Sequence, residues 1–367
     1  MKLTVIQTLP ALNAGGVERG TLEVAAELVR RGHRSIVISA GGRMVEKLLE
    51  QGSEHITLPL GKKSPFTFRY IFRLRRIIRE SGAHILHTRS RLPAWLSYLA
   101  WKGLPEGSRP RFITTVHGPY TVNAYSRIMT RGETVIAISE FIKDYILKNY
   151  PQCDPDNIVV VPRGVAAEEF PYGFTPAANW IQQWQQQQPQ LRNKFIITLP
   201  ARITRWKGQA DFVEVIAKLQ ASGLPVHGLV AGGAERRQQS FLQELKSRVT
   251  TLGANDSITF LDHRSDLREV MGVSDVVLSL AKEPEAFGRT ALEALSLGKP
   301  VIAYDHGGAH EVLDAIFAEG LVPANDINSA VDKIRSFYQA RPCVPQKNPF
   351  TLEKMLNNIL SLYEKSV

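Results

Sequence analysis

Two doubly wound parallel α/β sheets are what this sequence predicts, on three observations. Short β-branched runs alternate with helix-length periodic segments, the alternation comes in two successive series, and 367 residues are enough for two domains. In the first series Leu3–Thr8, Ser35–Ser39, His84–His87, Phe112–Val116 and Thr134–Ile138 read as strands, with helical patterns near 17–31, 66–80, 91–102 and 139–149. In the second, Phe195–Leu199, Val226–Ala231, Ser257–Leu261, Asp275–Leu280 and Pro300–Ala303 read as strands, separated by helices near 207–220, 235–252 and 288–298. Between the series lies a Gln-rich piece, Trp180 to Gln190, which reads as a connector with little to give either core. From Phe350 to Tyr363 an apolar stripe of Leu352, Met355, Leu356, Ile359 and Leu362 predicts a helix that docks back on the first domain. The expected organisation is a first domain over 1–170, a connector over 171–192, a second domain over 193–349 and a returning helix over 350–367.

Composition narrows the class. Hydrophobic residues are 44% and charged residues 22%, ordinary for a globular chain. No run approaches the roughly 18 to 20 apolar residues of a membrane span. Cys153 and Cys343 stand far apart without a CxxC partner, so neither a disulfide framework nor a structural zinc site is indicated, and a cytoplasmic location is expected. The net charge of +10 is lopsided: residues 1–170 hold 24 Lys and Arg against 15 Asp and Glu, the remainder 21 against 20. Its densest piece, residues 66–79, places Arg69, Arg73 and Arg76 on one helical face and Ile71, Leu74 and Ile78 on another. A peripheral contact with an anionic membrane and a packed helix with solvated arginines both account for that pattern. Nucleic acid is not expected, because no helix-turn-helix, zinc-finger or RNP pattern accompanies the arginines.

Ligands of doubly wound sheets bind beyond the strands' carboxyl ends, so the loops there, in the cleft expected between two such domains, carry the chemistry. After the first strand, Asn13-Ala14-Gly15-Gly16 opens a helix whose free amides suit a phosphate, although a plain tight turn is the alternative. Neither a dinucleotide fingerprint nor a P-loop is present. After Phe195–Leu199 come Arg202, Arg205 and Lys207; Arg202 offers a planar fork and Lys207 a point charge, a pair suited to a departing diphosphate. Farther on, Glu285 lies in a loop and Glu293 about two turns into the next helix, where carboxylates accept hydrogen bonds from sugar hydroxyls and Gly288 lets amides reach a ligand. The alternative has Glu285 starting a turn and Glu293 on a helix surface. Asp154-Pro155-Asp156 matches a metal-holding D-x-D string but reads as a turn before a strand.

Taken together these residues resemble the retaining GT-B glycosyltransferases of family 4. The E-x7-E motif matches Glu285 and Glu293, the Arg and Lys pair matches Arg202 and Lys207, and the Gly-Gly loop matches Gly15-Gly16. In the expected order follow Thr115-Val116-His117-Gly118, Ala137-Ile138-Ser139-Glu140, Val161-Pro162-Arg163-Gly164-Val165, Ala231-Gly232-Gly233 and Asp305-His306-Gly307-Gly308-Ala309. Strings such as Gly41-Gly42-Arg43-Met44 and His87-Thr88-Arg89-Ser90-Arg91 are similar to the branch that builds lipopolysaccharide cores and other envelope glycans, mannosyltransferases included. The resemblance implies that Glu293 holds the nucleotide's ribose, and that Arg202 and Lys207 with Gly15, Gly16 and Gly232 hold the diphosphate. It implies that Glu285, with Ala286 and the amides of Phe287 and Gly288, holds the donor sugar, and that His117 faces that sugar from the first domain. It implies retention of configuration with neither metal nor cofactor, the donor being GDP-mannose or a UDP-hexose and the acceptor a glycan or glycolipid. From charge placement alone, Arg89, Arg91, Arg127 and Arg163, with His87 and Arg131 nearby, are expected to meet a phosphorylated acceptor. A nucleotide-sugar epimerase of the same architecture, which needs an acid and base pair, is the enzymatic alternative. A non-catalytic nucleotide-sugar or nucleic-acid binder is the other.

Overall fold

The computed structural model describes residues 1–13 and 15–367, so Ala14 of the Gly-Gly loop lies outside the described residues. Two units divide the chain: Met1–Pro162 with Glu353–Val367, and Arg163–Leu352.

In the first unit the chain runs β1 (Thr4–Thr8), α1 (Gly16–Arg30), β2 (Arg34–Ser39), α2 (Val45–Glu50), β3 (Glu54–Thr57), α3 (Tyr70–Ser81), β4 (Ile85–Thr88), α4 (Arg91–Lys102), β5 (Arg111–Val116), β6 (Thr134–Ala137), α5 (Glu140–Asn149) and β7 (Ile158–Val160). The strands form one parallel sheet in the order β3-β2-β1-β4-β5-β6-β7. Strand order reverses between β1 and β4, which opens a crevice at their carboxyl ends. Helices cover both faces. Ile6, Ile38, Leu86 and Phe112 pack with Leu74, Ile78 and Leu96 on one side, and Leu9, Leu12, Leu22 and Val37 pack on the other. Burial on both faces explains why these strands read as unbroken apolar runs. Each buried Leu or Ile contributes about 1.5–3 kcal/mol.

The second unit runs α6 (Ala178–Gln187), β8 (Phe195–Leu199), α7 (Gln209–Ala221), β9 (Val226–Val230), α8 (Gln239–Thr251), β10 (Ile258–Phe260), α9 (Leu267–Gly272), β11 (Val276–Ser279), α10 (Arg289–Ser296), β12 (Val301–Tyr304), α11 (Gly307–Ile316), β13 (Leu321–Val322) and α12 (Ile327–Ala340). Its parallel sheet has the order β10-β9-β8-β11-β12-β13, with the reversal between β8 and β11. The chain then forms α13 (Leu352–Lys365). This helix belongs to the first unit, where its Tyr363 is buried against His87.

Two expectations about boundaries are corrected. The second unit begins at Arg163, not after a connector at 171–192. Val165 N donates to Phe350 O at 3.1 Å, Leu352 N donates to Val165 O at 2.9 Å, and Tyr172 Oη donates to Val344 O at 2.5 Å, which ties residues 163–172 to that unit. The Gln-rich piece is no spacer either. It forms α6, whose glutamines face solvent while Trp184 packs with Leu191, Leu229 and Val270, and Trp180 stacks on it at 5.1 Å. Strands β3, β7 and β13 add to the expected set; they have two to four residues and sit on sheet edges, where no continuous apolar run is needed. Helices α2, α9, α11 and α12 add to it likewise.

Candidate functional site

At the second sheet's reversal the loops after β8 and β11 interlock. Gly208 has φ 78° and sits against the Leu280 carbonyl, so any side chain there would collide with backbone. Lys282 N donates to Trp206 O at 2.7 Å, and Gln209 Nε2 donates to Arg202 O at 2.9 Å. This close seam delivers Lys207 from one loop to Glu285 from the other, and the two form an ion pair, both largely sheltered from solvent. The Lys207 Nζ also lies 4.2 Å from the Trp206 ring centroid. Beneath the seam, buried Asp211 on α7 accepts from Tyr304 Oη at 2.8 Å and from Lys282 Nζ at 2.7 Å. Burial, and then the Asp211 carboxylate, push the Tyr304 phenol well above its ordinary pKa, so it stays a donor. The sequence pattern does not show this Asp211–Lys282–Tyr304 cluster; its members come from three elements far apart in the chain.

The glycines of the Asp305–Ala309 string have a packing reason. Gly308 N donates to Glu285 O at 2.7 Å, and a Cβ on Gly308 would strike the Phe287 backbone. Gly288, at φ 80°, precedes α10 with Ala309 Cα 2.9 Å from where its Cβ would lie. The loop Glu285-Ala286-Phe287-Gly288 is therefore clamped between the start of α10 and the start of α11, with Phe287 edge-on to Phe350 at 5.6 Å. One turn into α10, Glu293 takes Arg289 Nε at 3.1 Å. Arg202 is not drawn into the Lys207–Glu285 pair. It is exposed, 3.5 Å from Glu235 in the loop after β9, and that loop is held close because Gly232 abuts the Ala201 carbonyl.

In the first unit, Gly15 caps α1 with φ 145°, where a Cβ would meet Glu18 Oε2 at 2.6 Å, and Gly16 opens the helix. His117 follows β5, and its backbone N–H donates to Tyr120 Oη at 3.3 Å. The Asp154 carboxylate accepts from Asp156 N at 3.0 Å, a local turn.

Two expected acceptor contacts are corrected. Arg89 is 1% exposed, so it lies inside the unit. Its Nε donates to Gln7 Oε1 at 2.9 Å, while Nη1 and Nη2 find no partner, and burial lowers the guanidinium's pKa. Arg163 is 7% exposed and belongs to the second unit, because Gly164 lies against the Thr351 backbone. His87 is also interior: its ring nitrogens lie 2.6 Å from Tyr363 Oη and 2.6 Å from Thr115 Oγ1. Burial pushes the Tyr363 phenol up to about 12. Arg91 and Arg127 remain at the surface, Arg91 between the rings of Tyr120 and Tyr125, two residues that no motif singles out.

On α3 Leu74 and Ile78 are buried as the helical pattern requires. Phe66, Phe68 and Phe72 are 77%, 48% and 72% exposed, beside exposed Lys62, Lys63, Arg69, Arg73 and Arg76. Among the described residues no helix is long and apolar enough to cross a membrane.

Comparison with known proteins bears on the family and the fold. The model of Glycosyltransferase Family 4 matches residues 14–169, and that of Glycosyl transferases group 1 matches 181–349. A lipopolysaccharide core biosynthesis mannosyltransferase, LpsB of Rhizobium meliloti, is 29% identical over 175 residues, 44% of this chain and 49% of LpsB. The match thus spans about half of that relative. The crystal structure of a glycosyltransferase from Rickettsia africae is similar over 100% of this chain and 98% of its own, with TM-score 0.87 and 33% identity. HepE of Anabaena, solved with UDP and glucose, shares the fold at TM-score 0.81 and 18% identity over 99% of this chain and 100% of its own. With both halves matched by family models and a full-length structural relative, the chain belongs to glycosyltransferase family 4 and is a glycosyltransferase of GT-B fold.

Proposed function

We propose that this protein transfers a hexose, with retention of configuration, from a nucleoside diphosphate sugar to a lipopolysaccharide-core or other envelope glycan. The observation that carries the reading is the Lys207–Glu285 pair, set by two interlocked loops at the sheet reversal where doubly wound folds take their ligands. A diphosphate competes with Glu285 for the Lys207 ammonium, and a released Glu285 is then an acceptor for donor-sugar hydroxyls. Arg202 swings on its exposed stem from Glu235 to the same diphosphate. Glu293 takes the ribose hydroxyls, Gly15 and Gly16 add helix-terminal amides, and the Phe287 and Gly288 amides with Ala286 bound the sugar. His117, which follows β5, is the first unit's proposed contribution to sugar binding.

In this mechanism the bond from the anomeric carbon to the diphosphate breaks while one to the acceptor oxygen forms on the same face. The acceptor's proton passes to the departing phosphate oxygen. The protein supplies no nucleophile; Lys207 and Arg202 stabilise charge as it grows on the leaving group, the electrostatic contribution that usually dominates. No metal is required. The LpsB likeness favours a mannosyl donor, which the family resemblance makes GDP-mannose, and the UDP held by HepE supports a UDP-hexose as the second choice. The exposed phenylalanines beside the α3 arginines support peripheral attachment to an anionic membrane on its cytoplasmic side.

Heat stabilisation against a panel of UDP, GDP, ADP and their sugars, with and without a chelator, tests the donor. A ligand that binds only the folded chain raises Tm. Stabilisation by one base, greatest with one sugar and unchanged by chelator, is expected. No response to any nucleotide overturns the reading, and a response abolished by chelator overturns its metal-free form.

A further inference from the structure

Arg91 is half-buried at the carboxyl end of the first sheet, and among the described residues it has no carboxylate partner. Its guanidinium carbon lies 4.9 Å from the Tyr120 ring centroid and 5.4 Å from that of Tyr125, and Nη1 donates to Ser126 Oγ at 3.2 Å. Two aromatic faces offset part of the cost of desolvating the cation, but they accept few of its hydrogen bonds. The plane of the guanidinium is held while several N–H groups stay available for a bidentate anion.

The clasp is braced from outside. Trp95 Nε1 donates to Tyr125 O at 2.9 Å, Ser126 N donates to Asn123 Oδ1 at 2.8 Å, and Tyr145 Oη donates to the Tyr120 carbonyl. Tyr120 Oη in turn accepts from the His117 N–H, which fixes the clasp beside His117. Residues 121–125 are exposed, so the ring of Tyr125 is open to a ligand's apolar face. Two residues before Arg91 in the chain, the buried Arg89 keeps Nη1 and Nη2 without partners. The charge of Arg89 is favoured from within by Glu23 and the Tyr363 hydroxyl, so among the described residues the cation that lacks an acidic partner at this end of the sheet is Arg91, and a ligand anion is its missing counter-charge.

We infer that Arg91, clasped by Tyr120 and Tyr125, is where the first unit takes a phosphorylated sugar of the acceptor, phosphate on the guanidinium and sugar ring on Tyr125. Naming that sugar the acceptor rests on the transferase reading above.

Mannose 6-phosphate, mannose and inorganic phosphate are titrated separately into the full chain, with intrinsic fluorescence and calorimetry as readouts. The sugar phosphate is expected to bind, inorganic phosphate more weakly and mannose not at all. Arg91→Lys keeps the charge but loses the fork, and weakens mannose 6-phosphate by about tenfold or more, the size of one charge-assisted hydrogen bond. Tyr125→Leu reduces the preference for sugar phosphate over phosphate, and an unchanged Tm shows that both variants fold. Binding that survives Arg91→Lys undiminished overturns the inference, as does mannose binding as tightly as its phosphate. A chain that answers to nucleotide but to none of the three probes also overturns it and leaves the transferase reading standing. Sugar phosphate binding without any nucleotide response upholds the site and removes that reading.

Discussion

The carboxyl ends of the two sheets solve the same electrostatic problem in opposite ways. In the second unit each cation of the candidate site already has an acid beside it: Lys207 has Glu285, Lys282 has Asp211, Arg289 has Glu293 and Arg202 has Glu235. In the first unit Arg91 and Arg127 have none among the described residues, and buried Arg89 has only Glu23 and the Tyr363 hydroxyl to favour its charge. Compensated cations can exchange an internal partner for a ligand with little net cost, which suits a donor that binds, reacts and leaves as a charged product. Uncompensated ones favour whatever anion arrives.

The largest effect is expected from removing the packing of α6. Trp184→Ala costs about 3–5 kcal/mol, as emptying a large aromatic from a core usually does. Because Trp184 belongs to the second unit, its unfolding transition moves down while that of the first stays in place; two transitions shifting together would break the picture of separate units. Next, Lys207→Ala lowers transfer by about 10²–10³-fold with Tm kept, as loss of one preorganised charge-stabilising donor does, and Arg202→Ala by less because that side chain is exposed. Near-full activity in Lys207→Ala would remove the exchange of partners. Acid sharpens the contrast further. Burial, with Lys194 nearby, pulls His227 on β9 down to about 4, below its ordinary value near 6.5, so the unfolded chain takes the proton first. Its contribution is complete above pH 6.5 and is lost as pH falls toward 4, by up to about 1.4 kcal/mol per pH unit. His227→Gln flattens that limb in a Tm against pH series read on the second unit; an unchanged slope counts against it. The smallest effect concerns the surface: Phe66, Phe68 and Phe72 all changed to Ser leave Tm within about a degree yet lower flotation with phosphatidylglycerol vesicles. Equal flotation by the variant, or equal binding to phosphatidylcholine, speaks against membrane docking.

Much of the fold and of the candidate site is legible in the amino-acid sequence itself. Interior strands such as Leu3–Thr8 and Phe195–Leu199 announce themselves because burial on both faces demands continuous apolar residues, and the loop strings carrying Lys207, Glu285 and Glu293 are local in sequence. What stays hidden depends on distance or accessibility. Glu54-His55-Ile56-Thr57 forms an edge strand with one partner and shows no apolar run. Trp180 and Trp184 are masked by the glutamines around them, although their spacing places both on one helical face. Arg89 and Arg91 look equivalent in sequence, yet one turns inward to Gln7 and the other outward between two tyrosines, a choice made by tertiary packing. Asp211, Lys282 and Tyr304 meet only after three strands have aligned.

The first unit is discontinuous, and this sets an order of events during synthesis. Residues 163–352 leave the ribosome before α13 does, so the six-stranded sheet has all its parts while the seven-stranded one still lacks a cover over His87. Domains generally fold as units while the chain is made. Here the unit translated first is finished last: all seven of its strands are made by Val160, yet His87 stays uncovered until Tyr363 arrives to close it.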